Sequence, residues 1–409
     1  MSERVVVTGV GAISPLGLTA EQTWQAAVQG QNGIGPITAF DASEFSCSIA
    51  GEVKGWDAES LLGRRQARRA DRFSQFALVA AREAVADSGL EITDENRASI
   101  GCYIGSGIGG LLVLEEQVHQ LRDRGPSRTS PFMIPEIIAN MASGLVSIDL
   151  GVEGPNIAIV TACATGAHSI GEAAEVIKRG SANVMLAGGA EGAIGPIGLA
   201  GFCAGRALTT RNEDFERASR PFDKERDGFV AAEGAGVVVL ESYSHAKDRG
   251  AEIQAEILGY GLSADAFHIT QPPADGGGAA RAMRAAIGNS SLDLNSIDYV
   301  NAHGTSTPAG DLAETNAIKS VFGECLPPVS STKSMMGHLI GAAGAVEFML
   351  CVNSIRDGVV PPTINYEIPD PELDLDYVPN VAREIPVKHV MSNSFGFGGH
   401  NAALIVGAV

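Results

Sequence analysis

The chain has 409 residues and a net charge of −19, with 45% hydrophobic residues and only 5% aromatic ones. This length is too great for one small core and predicts two packed units or one duplicated unit. The acidic balance disfavours nucleic acid as a partner, and six cysteines without a CxxC pair disfavour a zinc site and a disulfide framework.

Strands and helices alternate along the chain. Strands are predicted at residues 5–9, 99–104, 183–187, 234–241, 252–259, 297–302 and 390–399, and helices at 21–29, 71–88, 276–287 and 311–322. Residues 330–349 have the pattern of a strand, a turn and a helix. This alternation predicts an α/β fold with mainly parallel strand pairing.

No segment has the pattern of a membrane anchor. Residues 1–4 lead directly into the first strand and do not resemble a signal peptide. The most apolar region, 185–204, is interrupted by Glu191 and several glycines, which disfavours a membrane-spanning helix. We therefore expect a cytoplasmic protein without a membrane partner.

A cysteine lies at the predicted junction of a strand and a helix. Residues 157–160 form an apolar run of strand length, the turn T-A-C-A-T-G follows, and apolar residues then recur at helical spacing. Cys163 would lie near a helix N-terminus, where partial positive charge lowers the pKa of a thiol and free N–H groups can hold an oxyanion. The alternative is an inert buried cysteine.

A glycine-rich loop, G-S-G-I-G-G at 105–110, formally matches the dinucleotide-binding pattern GxGxxG. No second strand ends in an acidic residue about 20 positions later, so we interpret it as a loop where backbones approach closely. No organic cofactor is expected.

A weak internal repeat is visible. H-S-I-G-E-A at 168–173 resembles H-L-I-G-A-A at 338–343, an offset of 170 residues (338 − 168) that also carries Cys163 onto Lys333. Two equivalent strand-turn-helix units would bring two helix N-termini to one cleft.

Three further stretches place polar groups at turns: N-A-H-G-T-S-T-P-A-G-D at 301–311, S-T-K-S-M-M-G-H at 331–338 and N-S-F-G-F-G-G-H-N at 393–401. Taken singly, His303, Lys333, His338 and Phe397 could be ordinary turn or surface residues. Together with Cys163 they form a nucleophile with several electrophilic groups.

With T-A-C-A-T-G, these motifs closely resemble the elongating β-ketoacyl-acyl carrier protein synthases, with the type II synthases as the nearest group. The resemblance covers the whole chain, in order and at family spacing. It implies the thiolase fold, with duplicated halves in five α-β-α-β-α layers, which we expect at 1–250 and 251–409. It also implies fatty-acid elongation by a decarboxylating Claisen condensation.

The catalytic roles follow from the resemblance. Cys163 would carry the acyl group as a thioester, and His303 and His338 would stabilise the enolate formed from malonyl-acyl carrier protein. The N–H groups of Cys163 and Phe397 would hold the tetrahedral oxyanion. Lys333 would organise the site in a pair with Glu314. The supporting positions are Asp311, Glu314 and Glu347.

The resemblance also assigns binding positions. The phosphopantetheine would contact Thr270, Thr305 and Thr307, and the acyl pocket would be lined by Ile108, Phe202 and Leu339. In the homodimer that the family forms, Phe132 and Ile134 would reach in from the second subunit. A structural Na⁺ or K⁺ ion, seen in some members, would be held by Asn301, Glu347, Ser392 and Asn393.

A basic segment offers a docking surface for the acidic acyl carrier protein. Residues 64–72 hold five arginines in nine positions, and Arg65, Arg68, Arg69 and Arg72 recur at helical spacing. The alternative is a solvated helix start with local ion pairs. By resemblance, the docking residues are Arg65, Arg68, Arg69 and Arg206.

Four rival functions share parts of this pattern. A polyketide ketosynthase would share the chemistry, although 409 residues leave no room for further domains. A chain-length partner subunit would lack Cys163, and a degradative thiolase would carry a second cysteine near Phe395 and Phe397, where none occurs. An initiating synthase would use a Cys-His-Asn set, from which Lys333-x-x-x-x-His338 departs.

Overall fold

A computed structural model describes residues 3–409 and contains a nine-stranded sheet. Its strands are β1 (Val5–Ile13), β2 (Ile100–Gly105), β3 (Val184–Glu191), β4 (Gly234–Ser242), β5 (Ala255–Ala264), β6 (Tyr299–Asn301), β7 (Val329–Ser330), β8 (His389–Gly396) and β9 (His400–Gly407). Two small ribbons pair Gly35–Pro36 with Ile49–Ala50 and Val359–Val360 with Arg383–Glu384.

The α-helices are α1 (Ala20–Val28), α2 (Ala58–Leu62), α3 (Arg64–Ala67), α4 (Arg72–Ser88), α5 (Leu111–Arg124), α6 (Met133–Ile137), α7 (Met141–Leu150), α8 (Thr165–Lys178), α9 (Pro196–Ala204), α10 (Tyr243–Asp248), α11 (Gly277–Asn289), α12 (Pro308–Phe322), α13 (Lys333–Met336) and α14 (Ala343–Asp357). Short 3₁₀ turns include Ala162–Ala164 and Ile340–Ala342. None of the helices within 3–409 combines the length and the apolar character that a membrane crossing needs.

The sheet is mixed, so the prediction of mainly parallel pairing is wrong. Its strand order is β2-β3-β4-β1-β5-β9-β8-β6-β7, with β2–β3, β8–β6 and β6–β7 parallel and the other five pairs antiparallel. One reason is local: only residues 397–399 separate β8 from β9, and so short a connection can only join antiparallel strands.

The chain is duplicated, as the resemblance predicts. In the first half, residues 155–157 run parallel along the edge of β2, followed by β3, β4 and β1. In the second half β7, β6, β8, β9 and β5 follow in the same order with the same parallel and antiparallel pairings. The halves meet where the first three residues of β1 pair with β5.

The repeat has a different register from the predicted one. The 3₁₀ turns Ala162–Ala164 and Ile340–Ala342 precede the equivalent helices α8 and α14, and Ala162 and Ile340 both have φ +50°. The offset is therefore 178 residues (340 − 162), which places Gly341, and not Lys333, opposite Cys163. The resemblance between 168–173 and 338–343 is coincidental.

Helices and half-sheets form five layers. Helices α4 and α7 cover the outer face of the first half-sheet, and α11 and α12 cover that of the second. Helices α8 and α14 lie between the half-sheets, and Ala343–Ser354 of α14 is buried throughout. A helix that is apolar or small on all sides is expected only in such an interior position.

The two central helices touch at their first turns through glycine. A Cβ at Gly166 would lie 2.7 Å from the backbone nitrogen of Ala345, and a Cβ at Gly344 would lie 2.9 Å from that of Ala167. Glycine therefore permits a backbone approach that any side chain would block.

Most predicted elements are confirmed within a few residues, with one exception. Residues 157–160 form no strand within the described chain. Ile157 and Val160 are instead exposed, by 53% and 52%. The pairing with β2 ends at Ile157, and the segment is open to solvent on the side away from the sheet.

Candidate active site

A cavity of about 780 Å³ brings the predicted catalytic residues together at the junction of the halves. Cys163, His303, His338 and Phe397 all line it. Each comes from a segment that follows a strand or precedes a helix, and such connections carry the chemistry in layered α/β folds. Lys333 lies behind this wall, 1% exposed.

Cys163 occupies the middle of a strained turn. Ala162 before it has φ +50°, and the turn is held by hydrogen bonds from the Thr161 N–H to Thr165 Oγ1 (2.9 Å) and between Thr161 Oγ1 and His168 Nδ1 (2.8 Å). A non-glycine residue at positive φ costs energy and is retained where the surrounding structure enforces it. The turn aims the thiol into the cavity at the N-terminal end of α8.

The thiol is more protonated at rest than the sequence predicts. Burial raises the pKa of Cys163 to about 12, although the Lys333 ammonium and the Phe397 N–H oppose this rise. The predicted lowering by the helix terminus is therefore wrong for the resting site, because desolvation of the thiolate outweighs it.

The two histidines pack edge to face in the wall of the cavity. Their ring centroids are 5.3 Å apart and their planes nearly perpendicular. Burial and the nearby Lys333 charge lower the pKa of both His303 and His338 well below 6.5, so both rings are neutral near pH 7. Nδ1 of each ring is buried without a hydrogen-bond partner among residues 3–409. A neutral imidazole carries one N–H donor and one acceptor nitrogen, so each ring lining the cavity can offer a single hydrogen bond to a bound molecule through its other nitrogen.

Lys333 forms an ion pair with Glu347, which corrects the predicted pair with Glu314. Glu347 comes from α14 and is itself 1% exposed. Glu314 instead accepts hydrogen bonds from the N–H groups of His303 (2.9 Å) and Gly304 (2.8 Å). It fixes the turn that carries His303, whereas Glu347 holds the ammonium.

Asp311 supports the same turn. Its fully buried carboxylate accepts the N–H groups of Ser306 (3.1 Å) and Phe222 (2.8 Å) and lies 3.7 Å from Arg226 Nε. Burial raises the pKa of Asp311 to about 7.

The loop after β8 reaches the nucleophile because it contains glycine. A Cβ at Gly396 would lie 2.5 Å from the Thr161 carbonyl oxygen and 3.2 Å from the Cys163 nitrogen. This approach lets the Phe397 N–H donate to the thiol. The Phe397 side chain is 39% exposed and lines the cavity mouth.

Most predicted substrate positions line the cavity. Thr305 and Thr307 do so with their hydroxyl oxygens 3.1 Å apart. The other lining positions among them are Ile108, Phe202 and Thr270. Leu339 does not line the cavity: it is buried in the central core, and its neighbour Ile340 takes that place.

All four predicted docking arginines are exposed. Arg72, which belongs to the same sequence pattern but is not a docking residue, is half-buried. Arg65 and Arg69 are free of ion pairs among residues 3–409, Arg68 has an exposed pair with Glu59 (3.3 Å), and Arg206 lies at the cavity mouth. The predicted shared helical face is wrong, because α3 ends at Ala67 and α4 begins at Arg72.

Arg72 is half-buried and paired with an interior carboxylate. It donates to both oxygens of Glu233, at 2.7 and 2.6 Å, and Glu233 is 1% exposed. Phe132 and Ile134 are exposed away from their own chain's cavity, and Phe132 stacks with the Arg69 guanidinium at 4.7 Å.

The four predicted cation ligands are all buried, and Asn301 of β6 lies opposite Ser392 of β8. One oxygen of each is buried without a hydrogen-bond partner among the described residues: Asn301 Oδ1, Glu347 Oε2, Ser392 Oγ and Asn393 Oδ1. Buried polar atoms are rarely left unpaired. Oxygens of this type are the ligands that hard cations prefer.

Sequence reasoning missed several residues of the site. Ile340 and Phe395 line the cavity, and Phe395 packs its ring against His303 at 5.6 Å. Glu191 lies buried behind the cavity wall. The sequence feature that could have identified Glu191 is that it is the single charged residue within the apolar region 185–204.

Comparisons with known proteins agree with this geometry. The family model described as beta-ketoacyl synthase, N-terminal domain, matches residues 2–246, and the corresponding C-terminal domain model matches residues 254–367. A 3-oxoacyl-[acyl-carrier-protein] synthase 2 from Synechocystis sp. is 54% identical over 404 residues, covering 98% of this chain and 97% of the relative. One from Staphylococcus aureus is 52% identical over 406 residues, covering 99% and 98%.

Solved structures extend the similarity to the whole fold. A beta-ketoacyl synthase from Burkholderia phymatum has a TM-score of 0.93 at 37% identity, and a ketosynthase solved with its type II PKS acyl-carrier protein has 0.92 at 36%. Both alignments cover 100% of each chain.

Proposed function

This chain belongs to the β-ketoacyl synthase family, and we propose that it performs the family's condensation with Cys163 as nucleophile and His303 and His338 as enolate stabilisers. It is a condensing acyltransferase of fatty-acid elongation that works with acyl carrier protein. The observation that carries the assignment of residues is the cavity in which one buried thiol faces two neutral histidines.

The first half-reaction loads the enzyme. The Cys163 sulfur attacks the thioester carbonyl of acyl-acyl carrier protein, and the thiol proton ends on the departing phosphopantetheine sulfur. No net charge is created, which suits a thiol whose pKa burial has raised to about 12. The N–H groups of Cys163 and Phe397 would hold the oxyanion of the tetrahedral intermediate.

The second half-reaction makes the carbon–carbon bond. Malonyl-acyl carrier protein loses carbon dioxide, and the electron pair of the broken bond forms an enolate whose oxygen accepts hydrogen bonds from His303 and His338. Neutral imidazoles suit this role, because each presents an N–H donor. The enolate carbon then attacks the Cys163 thioester, and the released thiolate takes up a proton from solvent.

Thr305 and Thr307 would bind the phosphopantetheine amides at the cavity entrance, with Thr270 beside them. The apolar wall at Ile108 and Phe202 would take the acyl chain. No organic cofactor is required, since the substrates arrive on the prosthetic group of the carrier.

We also propose a structural Na⁺ or K⁺ ion. The donor chemistry fits the group: three neutral oxygens and one carboxylate oxygen, from Asn301, Ser392, Asn393 and Glu347, are buried without hydrogen-bond partners among residues 3–409. Such an ion would offset the negative charge of Glu347 and brace the turn of His303. Dialysis into a buffer of a large organic cation should lower the melting temperature, with recovery on adding K⁺ or Na⁺.

A homodimer is the proposed assembly. Five apolar side chains are each at least half exposed: Val118, Leu121, Ile134, Ile157 and Val160. Monomers rarely leave an apolar edge or helix face bare. In the dimer Phe132 and Ile134 would close the neighbour's acyl pocket. Light scattering that gives a fully active monomer at working concentration would refute this.

The exposed arginines 65, 68, 69 and 206 form the proposed carrier docking surface. The chain as a whole is strongly negative, so approach of an acidic carrier depends on this local positive patch. Guanidinium groups suit carboxylates and phosphate alike. We place the enzyme in the cytoplasm, because six free cysteines suit a reducing compartment.

The deciding experiment is a chain-length series of acyl-acyl carrier proteins with carbon dioxide release measured from malonyl-acyl carrier protein. Turnover of saturated acyl carriers supports fatty-acid elongation. A second candidate, polyketide extension, is suggested by the similarity to the ketosynthase solved with its type II PKS carrier, and exclusive turnover of polyketide starters would favour it.

A further inference from the structure

One buried carboxylate has no role in the condensation chemistry. Glu191 ends β3 and is completely buried. It has no cation within ion-pair distance among residues 3–409. A carboxylate buried without a cation is costly unless hydrogen bonds satisfy it.

The satisfying donors come from two loops. Ser106 Oγ donates to Glu191 Oε1 at 2.9 Å, while Oε2 accepts the N–H groups of Gly107 at 3.0 Å and Gly341 at 3.1 Å. The Gly109 N–H donates to Ser106 Oγ at 2.9 Å and extends the network. Ser106, Gly107 and Gly109 belong to the first half of the chain, and Gly341 belongs to the second.

These two loops carry the side chains that frame the acyl pocket. Ile108 follows Gly107, Ile340 precedes Gly341, and both line the cavity beside Cys163. The fit is tight: a Cβ at Gly107 would lie 2.9 Å from Glu191 Oε2 and 3.2 Å from Ile340 Cγ2.

The carboxylate also acts on the nucleophile through its charge. Glu191 raises the pKa of Cys163, whereas Lys333 lowers it. The other titratable groups that line the cavity are the neutral His303 and His338, with Glu314, Asp265 and Arg206. Burial raises the pKa of Glu191 itself to about 7.

We propose that Glu191 is a positioning residue for acyl-chain selection: it ties the Ile108 loop to the Ile340 turn and places a negative charge behind Cys163. This inference rests on the proposed role of Cys163. Glu191 touches no substrate, and it acts through the loops that do.

Two variants separate the hydrogen bonds that join the Ile108 loop to the Ile340 turn from the charge of Glu191. Glu191→Gln keeps an oxygen for the two N–H groups but removes the ionisable carboxyl, and Ser106→Ala removes one of the hydrogen bonds but keeps that carboxyl, which is ionised at the high pH of the labelling midpoint. Glu83→Gln is the matched control, because Glu83 is also a carboxylate that accepts two backbone N–H groups (Ala12 and Ala20, 2.9 and 2.8 Å) but lies on the outer helix α4.

Two readouts are measured on the full-length enzyme: the pH profile of iodoacetamide labelling at Cys163, and the ratio of kcat/KM for long and short acyl-acyl carrier proteins. Glu191→Gln should move the labelling midpoint to lower pH. For each pH unit by which the midpoint falls, labelling at pH 8 should rise by about threefold, since the tenfold gain in thiolate is offset by lower nucleophilicity. Ser106→Ala should change the chain-length ratio several-fold without lowering the midpoint.

The proposal is overturned if Glu191→Gln leaves the labelling profile at that of the wild type, if Ser106→Ala leaves the chain-length ratio unchanged, or if Glu83→Gln reproduces either effect. Should Glu191→Gln fail to fold, the chain-length ratio of Ser106→Ala decides. Absence of labelling at Cys163 in the wild type would instead refute the proposed nucleophile.

Discussion

The buried Lys333–Glu347 pair offers a test in which stability and reactivity change together. Both side chains are 1% exposed, so Lys333→Met would leave Glu347 buried without the ammonium that forms its one ion pair among residues 3–409. Removing one partner of a buried pair costs roughly 3–5 kcal/mol. With an unfolding entropy of about 2.1 cal/mol/K per residue, this chain should lose roughly 4–6 °C in melting temperature.

Thermal unfolding at pH 7 would measure this loss, with two comparisons. Lys319→Met breaks an exposed pair with Asp374, and such pairs contribute at most about 1 kcal/mol, so its melting temperature should fall by about 1 °C. Lys333→Met combined with Glu347→Gln should recover part of the loss, because no charge is then left unpaired.

The same variant should slow iodoacetamide labelling of Cys163. Lys333 opposes the rise in the thiol pKa, so its removal raises that pKa further. A melting temperature no lower than that of Lys319→Met, or labelling as fast as in the wild type, would refute the reasoning.

Four further predictions concern the active site and the docking surface. Cys163→Ala should abolish condensation yet retain malonyl decarboxylation, measured as carbon dioxide release; any β-ketoacyl product from it would contradict the assignment. His303→Ala and His338→Ala should each slow decarboxylation by about a hundredfold, since an oxyanion donor contributes on the order of 3 kcal/mol, while acyl transfer to Cys163 suffers less. Because both histidine pKa values are lowered, wild-type decarboxylation should show no acid limb near pH 6.5. Arg65→Glu with Arg68→Glu should raise KM for acyl-acyl carrier protein several-fold and leave acyl-CoA turnover unchanged; normal carrier binding at low salt would exclude this segment as the docking site.

Much of the fold and of the site could be predicted, because the turns that carry the catalytic residues are determined by residues close to them in the sequence. A glycine-containing turn after an apolar run places Cys163 at the start of α8, and the strand before His303 ends where the polar motif begins. Such junctions depend on a few neighbouring residues, and their pattern survives in the sequence.

Long-range packing decided the rest. Lys333 pairs with Glu347 because α14 crosses beneath its turn, which no local pattern records. The repeat register depends on equivalent backbone turns at Ala162 and Ile340, and across 162–167 and 340–345 the residues that match at this offset are only alanine and glycine, such as Gly166 and Gly344, which are common throughout the chain. The pKa of Cys163 depends on the burial of the whole cavity wall, which the position of a helix terminus does not reveal.

The glycine contact between α8 and α14 constrains how this enzyme can be divided or redesigned. Gly166 and Gly344 lie three residues after the nucleophile and after its counterpart Gly341, so the surface that joins the halves also sets the aim of the thiol. A fragment ending near residue 250 would lack α14. One side of α8 would then be exposed to solvent, and the first turn of α8 would lose its backbone contact with α14. Separately expressed halves should therefore be inactive until they reassociate, and a bulkier residue at either glycine should remove activity before it unfolds the outer layers.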